Sequence, residues 1–264
     1  MPATPPVDAT RLVSLLGRGS MWGPIEVVSS TGSTNADLVG RADVPAGLVR
    51  IADHQSAGRG RFDRSWVDAP GTAVAVSCVV RPAQPMARWG WLPLVAGMAV
   101  VEGLRDVCRG ALADPQRVWL KWPNDVLLDD AKVCGILAQV AGGAVVIGWG
   151  VNVSMDAAEL PVESATSLLL ADLPTDKTAL VASILASLAR HYDRWQAGSV
   201  RDDYRGVSTT LGRPVRVVLA DGSVEGIAVD VDTDGALLVD VPGAGVRAFP
   251  AGDVVHLRGF GADW

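Results

Sequence analysis

Lysine is scarce in this chain. Of the 23 lysines and arginines in 264 residues, only Lys121, Lys132 and Lys177 are lysines. A bias toward arginine accounts for the scarcity, so each retained lysine suggests a place where a compact ammonium is needed rather than a planar fork. Cysteine and histidine are equally thin, at 3 residues each. Cys78, Cys108 and Cys134 sit in apolar runs without CxxC spacing, which argues against a disulfide framework and reads as reduced core thiols of a cytoplasmic protein. His54, His191 and His256 lie far apart, and no motif has zinc-ligand spacing. No run approaches the ~18 uninterrupted apolar residues of a membrane span. The opening "MPATPPVDAT" lacks the basic and apolar regions of a signal peptide. A formal charge of −6 argues against nucleic acid as the main partner. No phosphate-loop motif of the GxxxxGKS or GxxxxGKT type occurs, and the GxGxxG pattern fails at Asp63, where its third glycine belongs.

What is present is ample core. At 49% hydrophobic, the chain suffices for one large domain, or a medium domain followed by a small one. "DATRLVSLLG" reads as a short helix stopped by glycine, and "TGSTNADLVGRA" as a capped helix. "IEVVSS", "GLVRIADHQ" and "TAVAVSCVVRP" read as strands, the last by alternation. "ARWGWLPLVAGMAVVEGLRDVCR" is apolar at helical spacing and reads as one long buried helix. Four β-rich segments follow, "RVWLKW", "DVLLDD", "KVCGILAQVAGG" and "AVVIGWGVNVS", and then the amphipathic helix "TDKTALVASILASLARHYDRWQAG". After Val207 the texture changes to short valine-rich strands broken at Asp221-Gly222, Asp234-Gly235 and Pro242-Gly243, the pattern of a small separate β-barrel.

Three stretches, and more weakly a fourth, carry chemistry. "AGRGRFDRSW" packs Arg59, Arg61 and Arg64 onto a segment too rich in glycine for a stable helix or strand. It is either a solvated basic loop or a cradle in which backbone N–H groups and guanidinium forks meet an anion. In "LKWPNDVLLDDAKVCGIL", proline holds Trp122 extended, putting Lys121 at a strand end and Lys132 at the start of the neighbouring strand. A hairpin there would aim both ammonium groups at one volume; an ordinary Asn-Asp turn is the alternative. "STGSTN" has the residues of a helix cap, which also offer hydroxyls, an amide and free N–H groups to a polar ligand. "GWGVNV" places Asn152 after a Gly-x-Gly at a strand end.

Together, "STN", "HQSAGRGRFDRSW", "LKWPNDVLLDDAKVCGIL" and "GWGVNV" resemble, in order and spacing, the biotin protein ligases. The likeness runs from about Ile25 to Val153 and resumes in "DTDGALLV" and "AGDVVHLR". It implies an α+β fold: a mixed-sheet catalytic domain with helices packed on it, like class II synthetases and lipoate ligases, over 1–206, and an SH3-like barrel over 207–264. It implies biotin and ATP as substrates, with Mg²⁺ held mainly by the ATP phosphates. The carboxylate of biotin would attack the α-phosphate, releasing pyrophosphate, and a lysine of a biotin carboxyl carrier domain of acetyl-CoA carboxylase would then take the acyl group. Carried over by position, Ser33, Thr34, Asn35 and Gln55 would hold the ureido end of biotin, and Arg59, Gly60 and Arg61 its carboxylate and the phosphate. Lys121 would bridge carboxylate and α-phosphate; Arg61, Arg64, Trp66, Asn124, Lys132 and Asn152 would serve the nucleotide, Trp66 on the adenine side. Lys121, Arg59 and Arg61 are the catalytic candidates.

Phe62 and Asp63 depart from the usual basic or small residue followed by glycine, Cys134 replaces an alanine, and Trp149 a smaller aliphatic that could bear on the nucleotide side. Only about 24 residues precede the first strand, so the resemblance is to the form without a DNA-binding winged helix. Two other readings stay open: a lipoate or octanoate ligase, which shares the fold, and a biotin or nucleotide sensor without catalysis.

Overall fold

In the computed structural model, residues 4–257 are described apart from 42, 112, 113 and 199; the two ends of the anticipated domains, 1–3 and 258–264, lie outside the described residues. Asp8 accepts the Arg11 N–H and starts helix α1 (Ala9–Leu16), which Gly17 stops at φ 75°. Strand β1 (Ile25–Val28) precedes helix α2 (Thr34–Val39), capped by Ser33. Strand β2 (Val49–Ala52) leads to the arginine segment, where β3 (Gly58–Arg59) pairs with β4 (Ser65–Trp66). Strand β5 (Ala73–Val80) is buried throughout. Helix α3 (Leu92–Val107) starts later than its apolar pattern suggests: Met86–Trp91 form a 3₁₀ turn, and Pro93 sits in the first α turn, where its missing N–H leaves no bond unmade. Then come β6 (Val118–Lys121), β7 (Asp125–Leu128), β8 (Ala131–Ala141), β9 (Ala144–Asn152), the long helix α4 (Lys177–Ala197) and the short α5 (Arg201–Arg205).

Seven of these strands form one mixed sheet in the order β1-β2-β5-β9-β8-β7-β6, parallel only at β1–β2. Side chains alternate between its two faces. On β9, Val145, Ile147, Trp149 and Val151 share the core cluster with Leu94, Met98, Leu180 and Leu185 of α3 and α4. The intervening Val146, Gly148, Gly150 and Asn152 face the other way. Those glycines align with Leu137 and Gly135 on β8 and with Ser77 and Ala75 on β5. One face therefore carries α3 and α4, and the other carries glycine, alanine and serine beside the short helix α2, whose Leu38 packs with Val79, Ala144 and Val146.

Beyond α5, β10 (Pro214–Leu219), β11 (Gly222–Val231), β12 (Leu237–Val241), β13 (Gly245–Phe249) and β14 (Asp253–His256) make an antiparallel sheet of their own, ordered β13-β12-β11-β10-β14. Tryptophan side chains of the first unit meet the backbone of this C-terminal unit. Trp91 Nε1 lies 3.1 Å from the carbonyls of Asp232 and Thr233, and Trp122 Nε1 3.4 Å from that of Gly235. Gly90 and Gly235 pack backbone to backbone there, leaving no room for a Cβ on either.

Candidate active site

The open face of the sheet forms the floor of a cleft lined from Ser33 and Gln55 at one end to Arg61, Arg64 and Lys132 at the other. Trp66 lies across this floor: a Cβ on Gly150 would meet its ring at 2.7 Å, and one on Gly135 at 3.2 Å. At the other end, Asn35 occupies the space over Gly148, where a Cβ would collide with its side-chain oxygen. The small residues of β8 and β9 are thus what let an indole and an amide lie flat on the strands.

The polar end is built by the start of α2. Ser33, Thr34, Asn35 and Gln55 are all buried. Gln55 Oε1 accepts from Thr34 N at 2.8 Å and from Thr34 Oγ1 at 3.1 Å. Ser77 Oγ bonds Thr34 Oγ1 at 2.7 Å and Asn35 Oδ1 at 2.6 Å, while Asn35 Nδ2 donates to Leu137 O and to Gln139 Oε1. Ser77 and Gln139 are additions that the motifs did not disclose. Their signal was positional: each is a polar residue on a buried strand, in phase with Gly148.

The cationic end is the arginine segment. It does form local structure, contrary to the expectation from its glycines. Gly60 N donates to Arg64 O at 2.6 Å, and the tip turns through Phe62 at φ 53°. Arg61 Nη1 donates to Gly252 O at 3.0 Å, lies 3.4 Å from Asn124 Oδ1 and pairs with Asp253 at 3.6 Å; Arg64 also pairs with Asp253. Burial pushes the Arg61 guanidinium below its usual range, against the pull of Asp253 and Asp125. The exposed Phe62 ring lies under the Arg61 guanidinium, 4.8 Å from centroid to Cζ. Nothing in the structure explains why phenylalanine occupies that exposed position, and the Asp63 side chain lies outside the described residues.

Lys132 reaches the cleft through an irregularity. The β7–β8 register shifts between Val126 and Leu127, so that Val133 and Cys134 both fall in the helix-side core. This bulge turns Lys132 onto the open face, where Nζ pairs with Asp125 Oδ1 at 2.6 Å and lies against Gly135. Asn124 is fixed beside it, Nδ2 donating to Ile136 O at 2.8 Å.

Ser33, Thr34, Asn35, Gln55, Arg59, Gly60, Arg61, Arg64, Trp66, Asn124 and Lys132 therefore line one cleft, but Lys121 and Asn152 do not. Lys121 ends the edge strand β6, directly opposite Asp125, which itself stands opposite Gly135. It shares the open face but sits one strand behind the cleft wall, half-buried, and burial lowers its ammonium below the usual lysine range. The two ammonium groups thus flank Asp125 rather than converge freely. Asn152 is buried at the end of β9 and donates from Nδ2 to Thr166 O at 2.9 Å. It braces the segment whose backbone holds Lys132, through Lys132 N to Ser164 O and Thr166 N to Lys132 O. Trp149, one residue out of phase with the glycines, is buried in the helix-side core and also borders the cleft between Gly148 and Gly150. The buried Cys134 thiol is pushed well above its ordinary range and is inert.

The site thus combines one glycine-rich sheet face, a buried amide-hydroxyl pocket at one end and arginines at the other. The chain belongs to the biotin/lipoate A/B protein ligase family, whose model matches residues 25–156; residues 210–257 match the biotin protein ligase C-terminal domain. It is 41% identical over 262 residues to the biotin–[acetyl-CoA-carboxylase] ligase of Mycobacterium tuberculosis, covering 96% of this chain and 97% of that one. Identity to the ligase of the same name from Paracoccus denitrificans is 32%, over 86% and 98% of the two chains. The structure superposes with a TM-score of 0.75 on the biotin protein ligase of Aquifex aeolicus in complex with biotin and ATP, at 25% identity over 89% and 99% of the chains.

Proposed function

We propose that this chain is an ATP-dependent biotin protein ligase that joins biotin to AMP with release of pyrophosphate, then transfers biotin to a lysine of a biotin carboxyl carrier domain of acetyl-CoA carboxylase. The observation that carries this reading is the adjacency, in one cleft, of the Thr34–Asn35–Ser77 pocket and the Arg59–Arg61–Arg64–Lys132 cluster. The first suits a ureido group, which has both donors and an acceptor. The second suits a phosphate.

Bringing a carboxylate to a polyphosphate is opposed by charge: two unit charges 4 Å apart interact by about 4 kcal/mol at an effective dielectric near 20. Fixed cations offset that term, and removing one donor aimed at a developing anion costs roughly 2.7–4 kcal/mol. Arg59 and Arg61 cover the carboxylate and α-phosphate, Arg64, Asn124 and Lys132 serve the nucleotide, and Trp66 supplies its aromatic face to adenine. Lys121 bridges from the row behind Asp125, and Asn152 acts by bracing Lys132. The carbonyl of the mixed anhydride then receives the amine of the carrier lysine, and AMP leaves. No covalent bond to the enzyme is required. Magnesium, where it takes part, would be held mainly by the phosphates of ATP and would supply charge neutralisation on the leaving pyrophosphate.

In this reading, 1–206 is the catalytic unit and 207–264 closes the phosphate end through Gly252 and Asp253. The three buried free thiols fit a reducing cytoplasm, and no described helix is long and apolar enough to cross a membrane. Neither nucleic acid nor a lipid surface has a part in the scheme. Pyrophosphate release with biotin and Mg-ATP, set against lipoate and octanoate, tests it. Release with biotin alone is expected; release with lipoate or octanoate instead would make it a different acyl ligase, and release with none a sensor. A mass increase on one carrier lysine completes the test.

A further inference from the structure

Asp68 stands just past the far end of the arginine loop and turns back on its near end. Its side chain is fully buried. Oδ1 accepts from His54 Nδ1 at 2.6 Å and from the Gln55 N–H at 3.3 Å. These are residues at the root of the loop, and Gln55 is the residue that holds Thr34. Directly before them, Asp53 is gripped by the buried Lys177, whose Nζ donates to Asp53 Oδ1 and to Gly71 O, both at 2.9 Å. Two carboxylates, the fully buried Asp68 and the partly buried Asp53, therefore pin residues 53–55 from below, one across the base of the loop and one through helix α4. Burying a carboxylate is unfavourable, and burial does raise Asp68 above the usual aspartate range against the pull of Gln55, His54 and Lys177. What the group achieves for that penalty is directional. It fixes the backbone that carries Gln55, whose Oε1 takes both Thr34 donors and leaves Nε2 as its remaining donor.

We infer that Asp68 is a positioning residue for the acid-binding end of the site, acting through Gln55 and tying the two roots of the arginine loop together. The inference rests on the biotin ligase reading. Asp68 touches no substrate; its effect is on where Gln55 and Thr34 point.

The test is steady-state pyrophosphate release by the full-length enzyme with biotin and Mg-ATP. Asp68→Ala is expected to raise the KM for biotin about tenfold, the loss of one buried bond network, with the KM for ATP within about twofold of wild type. Asp68→Asn keeps an oxygen able to accept from both donors and is expected to restore most of the biotin KM. In a Gln55→Ala background, Asp68→Ala should add little, since its route is already cut. If the alanine variant does not fold, Asp68→Ser, too short to reach both donors, carries the same expectation. Equal rises in both KM values, full additivity with Gln55→Ala, or an unchanged biotin KM would each overturn the inference. Wild-type enzyme that releases no pyrophosphate with biotin would instead sink the ligase reading on which it rests.

Discussion

The two faces of the seven-stranded sheet are made from the same strands and obey opposite rules. On the helix side, β9 offers Val145, Ile147, Trp149 and Val151, large side chains that fill space against α3 and α4. On the open side the same strand offers Gly148 and Gly150, and the space is filled by Asn35 and Trp66 arriving from elsewhere. The first face tolerates modest changes of volume, because stability is spread over many dispersion contacts. The second does not, because a single methyl group there collides with Asn35 or Trp66. The larger core cluster lies on one face, and the candidate site residues lie on the other.

The sharpest way to break that comparison is at the cations. Lys132→Ala is expected to lower the rate of pyrophosphate release by about 10²–10³-fold, as for a lost oxyanion donor, with an unchanged melting temperature. Lys121→Ala is expected to fall in the same range; wild-type turnover in that variant would remove Lys121 from the mechanism and leave Lys132 as its only lysine. Next in size is Gly148→Ala, whose added carbon collides with Asn35. Its biotin affinity, read by calorimetry, should drop by more than about tenfold, while ATP binding is spared. Ile147→Val, the adjacent residue on the opposite face, should do the reverse: about 0.5–1.5 kcal/mol off the unfolding free energy and no change in kcat/KM. If Gly148→Ala binds biotin normally, the division between the faces fails.

An effect confined to acid pH lies in the seam between the two units. Burial, with Lys121 and Arg213 nearby, lowers His256 from 6.5 to about 4. A histidine held neutral in the folded state but free to protonate when unfolded contributes stability that is present above pH 6.5 and lost as the pH falls toward 4. Chemical denaturation across that window should show His256→Gln with a flatter acid limb than wild type.

Much of this was legible in the chain. Asp8 and Asp176 announce the starts of α1 and α4, and both cap as their side chains dictate. The Asp129-Asp130 pair turns the β7–β8 hairpin with both residues at positive φ, a conformation aspartate tolerates. The STN, Gly-Arg and Lys-Trp-Pro-Asn stretches do converge on one cleft. What stayed hidden depends on phase and distance. The bulge at Val133 reverses the face on which Lys132 emerges, and no residue type announces a bulge there. Lys121 and Asn152 lie on the open face yet outside the cleft, since their strands carry them beyond its rim. Asp253, more than 180 residues after Arg64 in the chain, reaches the arginines only because the C-terminal unit docks on Gly90 and Trp91.

Local chemistry was enough to write most of the elements and the turn residues, because capping, alternation and charge act within a few residues of their source. It took long-range packing to choose which cations share a volume, which carboxylates hold them, and which lysine stands behind the wall. Those choices depend on strand register and on the docking of one sheet against another, to which residues more than a hundred positions apart contribute equally.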